Sequence, residues 1–90
     1  MRQRGDNAGQ RFPVGSLVQF VTFRGAPPEG FRVDSGSRIR VEEVAVGEVG
    51  IVVNQPNTSY RSKEMLNDIM NYVLVNGIIL EVPCAHLWWA

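Results

Sequence analysis

The sequence predicts a small domain that is mainly β, because apolar residues recur in short runs that turn-forming residues interrupt. The clearest signal is a pair of apolar runs, residues 72–75 and 78–83, joined by Asn76-Gly77. Asn and Gly tolerate the positive φ angles of a two-residue type I′ turn, so this segment predicts a β-hairpin. Two further runs, residues 17–23 and 49–53, are rich in β-favouring residues and predict strands.

A two-residue turn also determines which residues of the hairpin face each other. The predicted pairs are Val75 with Ile78, Leu74 with Ile79, Val73 with Leu80 and Tyr72 with Glu81. One face is then wholly apolar, which predicts that it packs in the core. The second face is apolar near the turn, at Leu74 and Ile79, and these two side chains need to be covered by another part of the structure. We expect either a short helix near Met65 or another subunit to lie over this tip of the hairpin.

The remaining segments complete a single domain over residues 14–90. Residues 1–13 are polar, contain glycine and lack periodicity, which predicts a flexible N-terminal arm. The run 17–23 has apolar residues on both faces, so we expect a largely buried strand. From Ser62 the apolar residues recur at helical spacing, which predicts one short inserted helix. A short helical turn near residues 85–87 would then lead to a last strand at Trp88-Trp89.

Length and composition limit the possible functions. A chain of 90 residues buries only roughly 60% of its unfolded surface, which argues against a deep enzyme cleft. The single cysteine, Cys84, cannot form an intramolecular disulfide, so a reducing compartment is expected. The first ten residues have no apolar core typical of a signal peptide, and no run is long enough to span a membrane. We expect a soluble intracellular protein that is not secreted by a signal peptide.

The net charge is zero, but the charges are unevenly distributed. Residues 1–40 contain seven arginines and three acidic residues, whereas the remainder contains two cations and six acidic residues. This polarity favours either association with copies or partners, or a basic face for nucleic acid, unless folding mixes the charges.

The order of elements resembles an SH3-like small barrel, on four groups of residues. These are Gly15-Ser16-Leu17-Val18, residues 49–53, residues 72–77, and Val82-Pro83 followed by His86-Leu87. The pattern is similar to that of small uncharacterised bacteriophage proteins and covers about residues 14–90. The resemblance implies a small barrel fold and a phage-encoded or viral protein, with residues 24–46 and 60–70 as departures that could form its own binding surface.

The sequence predicts no catalytic, metal or cofactor site. Cys84 and His86 are possible zinc ligands, but a structural zinc site needs about four and the chain has no other Cys or His. One enzyme family with this fold, the type B dihydrofolate reductases, has a Val-Gln-Ile-Tyr-Pro segment before its final turn. The matching residues 79–83 retain only Pro83, so that activity is not predicted.

Protein binding is the leading functional interpretation. Trp88 and Trp89 must point to opposite sides of any strand, so one of them faces outward. Tryptophan and tyrosine dominate protein-interface hot spots. The predicted protein-binding residues are Tyr72, Leu74, Ile79, Trp88 and Trp89. Packing beneath the N-terminal arm is the competing explanation for the outward tryptophan. We expect a non-enzymatic protein-interaction or assembly module, with a protein partner or self-association and no membrane or small-molecule substrate.

The alternative interpretation is a nucleic-acid-binding barrel. Its arginine-rich face would contain Arg24, Arg32, Arg38 and Arg40. Phenylalanines nearby in the sequence could stack on bases while the arginines contact phosphates. Phe20 and Phe23 fall on opposite sides of one strand, so at least one of them is expected in the core.

Overall fold

The computed structural model describes residues 11–33, 41–54 and 70–90, which form one antiparallel seven-stranded sheet. The strands are β1 (Leu17–Phe20), β2 (Glu29–Arg32), β3 (Val41–Glu43), β4 (Val49–Val53), β5 (Met70–Val75), β6 (Ile78–Pro83) and β7 (Leu87–Trp89). Their order across the sheet is β3-β2-β6-β5-β4-β1-β7. The prediction of a mainly β domain is confirmed. In these ranges, the structure has no helix with the length and apolar character to cross a membrane.

The β5–β6 hairpin forms as predicted. Val75 pairs with Ile78, and the register continues without a slip to Tyr72 opposite Glu81 and beyond. Asn76 and Gly77 have φ angles of 51° and 79°, the two positive values that a type I′ turn requires. Met70 is the first residue of β5, so it is in a strand and not in the predicted helix. The rest of the predicted helix lies outside the described residues.

Gly50 lets β4 approach β5 closely. A Cβ atom at this position would lie 2.5 Å from Val73 Cγ1 and 2.8 Å from the backbone oxygen of Leu74. Such distances leave no room for a side chain, which is a common reason for glycine inside a strand. The sequence analysis assigned the run 49–53 to a strand, and β4 has those bounds.

The hydrophobic core lies on one side of the curved sheet. Its buried members are Phe12, Val18, Phe20, Val44, Val52, Val73, Val75, Leu80, Val82, Cys84 and Leu87. Phe12 falls within the segment that the sequence assigned to the arm, yet it packs in this core. Residues 1–10 of that arm lie outside the described residues.

The first strand is shorter and less buried than expected. It ends at Phe20, and a tight turn follows in which Phe23 and Ala26 exchange backbone hydrogen bonds of 3.1 and 2.9 Å. Phe20 is fully buried, as expected for at least one of the two phenylalanines. The expectation that both faces are buried is wrong, because Leu17 is 58% exposed on the side away from the core.

The end of the chain returns to β1. A 3₁₀ turn, Cys84–His86, separates β6 from β7, and β7 pairs antiparallel with β1. The imidazole Nδ1 of His86 donates a hydrogen bond to the backbone oxygen of Val21 at 3.0 Å. The predicted helical turn before a last strand is therefore confirmed.

Candidate functional site

The side of the sheet away from the core carries two rows of uncharged residues. Cross-strand pairing places Leu17 beside Ile51, Ile51 beside Leu74 and Leu74 beside Ile79, in one row across β1, β4, β5 and β6. A second row runs from Trp88 through Gln19 to Val49. We call the apolar members of these rows the outer face: Leu17, Val49, Ile51, Leu74, Ile79 and Trp88.

Most of the outer face is open to solvent. Leu17, Val49, Ile51 and Leu74 are classed among the exposed large apolar side chains, and Leu74 is 39% exposed. Ile79 and Trp88 are half-buried. An antiparallel sheet with one solvated face usually alternates apolar residues inward with polar residues outward. The outer face departs from this pattern on five adjacent strands, β6, β5, β4, β1 and β7.

The strand pairing explains why these residues meet. Neighbouring residues on a strand point to opposite faces, so each buried residue of β1 and β4 is followed by an outward one. Val18 and Val52 point into the core, and Leu17 and Ile51 consequently point out and lie opposite each other. Leu17, Val49 and Ile51 were not among the predicted binding residues. Their juxtaposition with Leu74 depends on the strand order, which no local pattern specifies.

The predicted protein-binding residues occupy three different environments. Leu74, Ile79 and Trp88 lie on the outer face. Tyr72 points to the same side of the sheet but is buried, as is its cross-strand neighbour Glu81. Trp89 lies opposite the core residue Val18 and therefore has the inward orientation.

Trp89 covers one edge of the core and stays partly exposed. Its ring meets that of Phe12 edge to face, with centroids 4.7 Å apart, and 43% of the residue is accessible to solvent. The side-chain amide of Gln19 donates a hydrogen bond to the backbone oxygen of Trp89 at 3.0 Å. The predicted opposite orientations of the two tryptophans are confirmed, with Trp88 outward and Trp89 in contact with the segment before β1.

The arginines of the alternative site differ in their surroundings. Arg24 is exposed in the turn after β1, and its guanidinium carbon lies 5.0 Å from the centre of the Phe23 ring, within the range of a cation–π contact. Arg32 forms an ion pair with Glu42 at 3.3 Å. Arg38 and Arg40 lie outside the described residues. Within the described residues, Arg24 is thus placed against an aromatic ring.

The residues with potential for metal binding or nucleophilic chemistry are used structurally. Cys84 is fully buried in the core, and His86 is half-buried with its Nδ1 atom engaged by Val21. Across the ranges 11–33, 41–54 and 70–90, the structure contains no group of three or more His, Cys, Asp or Glu side chains placed to hold a metal ion.

The geometry therefore identifies the outer face as the candidate site: two neighbouring rows on a regular sheet in which Gln19 is the one polar residue. Two of its residues, Leu74 and Ile79, are the hairpin tip whose cover the sequence left open. Comparisons with protein-family models, with curated proteins and with solved structures give no match for this chain.

Proposed function

We propose that this chain is a non-enzymatic protein-interaction and assembly module with an SH3-like small barrel as its fold. The order β7-β1-β4-β5-β6, with a 3₁₀ turn between β6 and β7, supports this fold. In this arrangement β1 pairs with both β4 and β7, which places the last strand beside the first. A phage-encoded or virion-associated role is part of the proposal and follows from the resemblance described above.

The observation that carries the function is the outer face. Its six apolar residues lie in two neighbouring rows that contain one polar residue, Gln19, and exposed apolar patches mark protein interaction sites on small domains. The regular hydrogen-bonded strands beneath it hold the side chains in place. Binding therefore costs little ordering of the backbone, which favours affinity.

A second copy of this chain is the occupant that we propose for the outer face. Two sheets pack face to face about 10 Å apart when both present apolar side chains, as in a β-sandwich. A twofold interface brings the same patch of each copy together, and every residue in the two rows is uncharged, so no like charges would face each other. The chain has no net charge that would oppose association.

Sedimentation velocity over a range of concentrations tests this proposal. We expect the wild-type chain to form a dimer and Leu74→Glu to be monomeric, because a charge would be buried at the centre of the interface. Val46→Glu is the matched control: Val46 is also an exposed apolar residue, but it lies in the turn before β4 and not on the outer face.

Two results would contradict the proposal. A wild-type chain that stays monomeric at every concentration shows that the outer face does not bind a second copy. A Leu74→Glu variant that associates as strongly as Val46→Glu shows that association uses another surface. Detection of the chain in purified virus particles would test the wider role, and its absence from them would argue against it.

Nucleic-acid binding stays the alternative prediction. The contact of Arg24 with Phe23 is the one feature of the described residues that favours it. Titration with single- and double-stranded DNA at two salt concentrations separates the two functions, since phosphate contacts weaken as salt rises whereas apolar association does not.

A further inference from the structure

The segment that leads into β1 carries one buried side chain. Within residues 11–15, Phe12 alone is buried, at 5% exposure, and the other four residues are exposed. Phe12 packs in the core, and its ring meets that of Trp89 edge to face with centroids 4.7 Å apart. We call residues 11–14 the anchor segment, because this phenylalanine holds them against the rest of the fold.

Asn71 receives the backbone of the anchor segment. Alternation along β5 places Asn71 on the same side of the sheet as Val73 and Val75, which both belong to the core. An amide in such a position needs hydrogen-bond partners. The backbone N–H of Phe12 donates a hydrogen bond to Asn71 Oδ1 at 2.9 Å. Asn71 and Trp89 together form what we call the seat of the anchor segment.

The seat is only partly used by the chain's own segment. Asn71 is 3% exposed, and its Nδ2 atom has no hydrogen-bond partner among the described residues. A cavity of about 260 Å³ is lined by Asn71, by part of the anchor segment and by the adjoining ends of β4 and β5. Buried polar atoms are almost always paired, so this buried donor beside a cavity indicates a missing acceptor.

The tether of the anchor segment explains why its own backbone does not supply that acceptor. The turn after Phe12 is fixed to β4 by a hydrogen bond of 2.8 Å from the Gly15 N–H to the Val52 backbone oxygen. Two residues separate Phe12 from this fixed point, and one of them is proline, which restricts the backbone further. The chain's own segment therefore has little freedom to bring a carbonyl to Asn71 Nδ2. A segment from another molecule is not tethered in this way.

We propose that the seat is a docking site for the anchor segment of a second copy, which replaces the chain's own segment during assembly. An identical segment already occupies the seat, so its chemistry fits by construction. The incoming backbone offers Asn71 both an N–H for Oδ1 and a C=O for Nδ2, while its phenylalanine packs against Trp89. Exchange of identical elements between copies is a low-cost route to oligomers. The seat and the outer face share no residue, so either proposal can fail without the other.

A peptide of residues 10–15 tests the seat directly. Its target is ¹⁵N-labelled Phe12→Ala, in which the seat has no phenylalanine of its own. We expect saturable NMR shifts of the Asn71 side-chain amide and the Trp89 indole N–H. Binding to the wild-type chain should be at least about tenfold weaker, because its own segment competes. If Phe12→Ala does not fold, Phe12→Leu serves in its place, since it keeps an apolar side chain without the ring.

The matched control is the same peptide with alanine in place of phenylalanine. No saturable shift, equal binding of the two peptides, or equal binding to the variant and wild-type chains overturns the proposal. A third peptide, methylated at the phenylalanine nitrogen, lacks the N–H that Asn71 Oδ1 would accept, and we expect about tenfold weaker binding. A seat that only buried an aromatic ring would bind the methylated peptide equally well, which would also overturn the proposal.

Mixing two chains tests exchange between copies. The acceptor is ¹⁵N-labelled Phe12→Ala, and the unlabelled donor is Asn71→Leu, which keeps its phenylalanine but has an impaired seat. Both carry Leu74→Glu to suppress association through the outer face. We expect the donor to shift the Asn71 side-chain amide of the acceptor, and a donor that also carries Phe12→Ala to leave it unchanged. The wild-type chain serves as donor if Asn71→Leu does not fold.

The signal is read at Asn71, so the result does not depend on whether the outer face associates. An acceptor that binds the peptide but shows no shift with the donor at the same concentration would mean that the anchor segment does not reach a second copy. That outcome overturns the proposal and leaves the outer-face dimer untouched.

Discussion

The two faces of the β5–β6 hairpin contain the same kinds of residue and have opposite environments. On the inner face, Val73 and Leu80 are paired with each other and have no exposed surface. On the outer face, Leu74 and Ile79 are also paired with each other, yet Leu74 is 39% exposed and Ile79 is half-buried. Apolar character alone therefore does not determine burial. One face packs in the core, and the other leaves Leu74 open to solvent.

The largest difference between the faces should appear on truncation to alanine. Leu80→Ala leaves a cavity in the core and is expected to lower the free energy of unfolding by about 2–5 kcal/mol. Leu74→Ala should change it by less than about 0.5 kcal/mol, measured at concentrations where the chain is monomeric. Urea denaturation followed by tryptophan fluorescence measures both values.

Equal losses in the free energy of unfolding for Leu80→Ala and Leu74→Ala would contradict the difference between the two faces. A large loss of stability in Leu74→Ala would mean that the outer face is covered within the monomer. The two variants should also be compared with the wild-type chain at high protein concentration. If the wild-type chain is stabilised there by association, Leu74→Ala should lack that additional stability.

A smaller effect is expected from alanine at two glycines that serve different purposes. Gly50→Ala would force a Cβ atom against Val73 and the backbone of Leu74, and should cost about 3 kcal/mol. Gly77→Ala has open space but a φ of 79°, and should cost about 1 kcal/mol from backbone strain alone. Thermal unfolding gives the order of the two variants, and a greater loss in Gly77→Ala would show that β4 can move away from β5 at little cost.

The smallest expected effect lies at the charged margin of the sheet. Glu29 and Glu43 are both exposed and directly opposite each other on β2 and β3, an arrangement that is destabilising. Glu43→Lys should raise the free energy of unfolding by about 0.5 kcal/mol, and Glu43→Gln by less. The gain in Glu43→Lys should shrink at high salt, because exposed charges are screened. A gain that does not depend on salt would point to packing instead of charge.

Local signals predicted the hairpin and the orientation of the terminal tryptophans. The turn at Asn76-Gly77 sets the register of its two strands because both the turn and the pairing involve neighbouring residues. The opposite directions of Trp88 and Trp89 follow from the alternation of any strand. Half of the candidate site, namely Leu74, Ile79 and Trp88, could be named for these reasons.

The other half could not be named, because it depends on contacts between distant parts of the chain. Leu17 was assigned to a buried strand, since its run has apolar residues on both faces. It is exposed because it points away from the core, and its own segment does not specify which side of β1 the rest of the chain covers. Phe12 was assigned to the arm for its polar surroundings, but it pairs with Trp89, 77 positions later in the chain.

The sequence by itself determined the β class, the hairpin register and the existence of a second apolar face, because turn chemistry and alternation are local properties. Only the tertiary structure decided that Tyr72 is buried while Leu74 is open, and that Leu17, Val49 and Ile51 extend the same surface. The physical reason is that burial depends on which strands become neighbours. In this chain, pairings such as β2 with β6 and β1 with β7 join segments that are far apart in sequence.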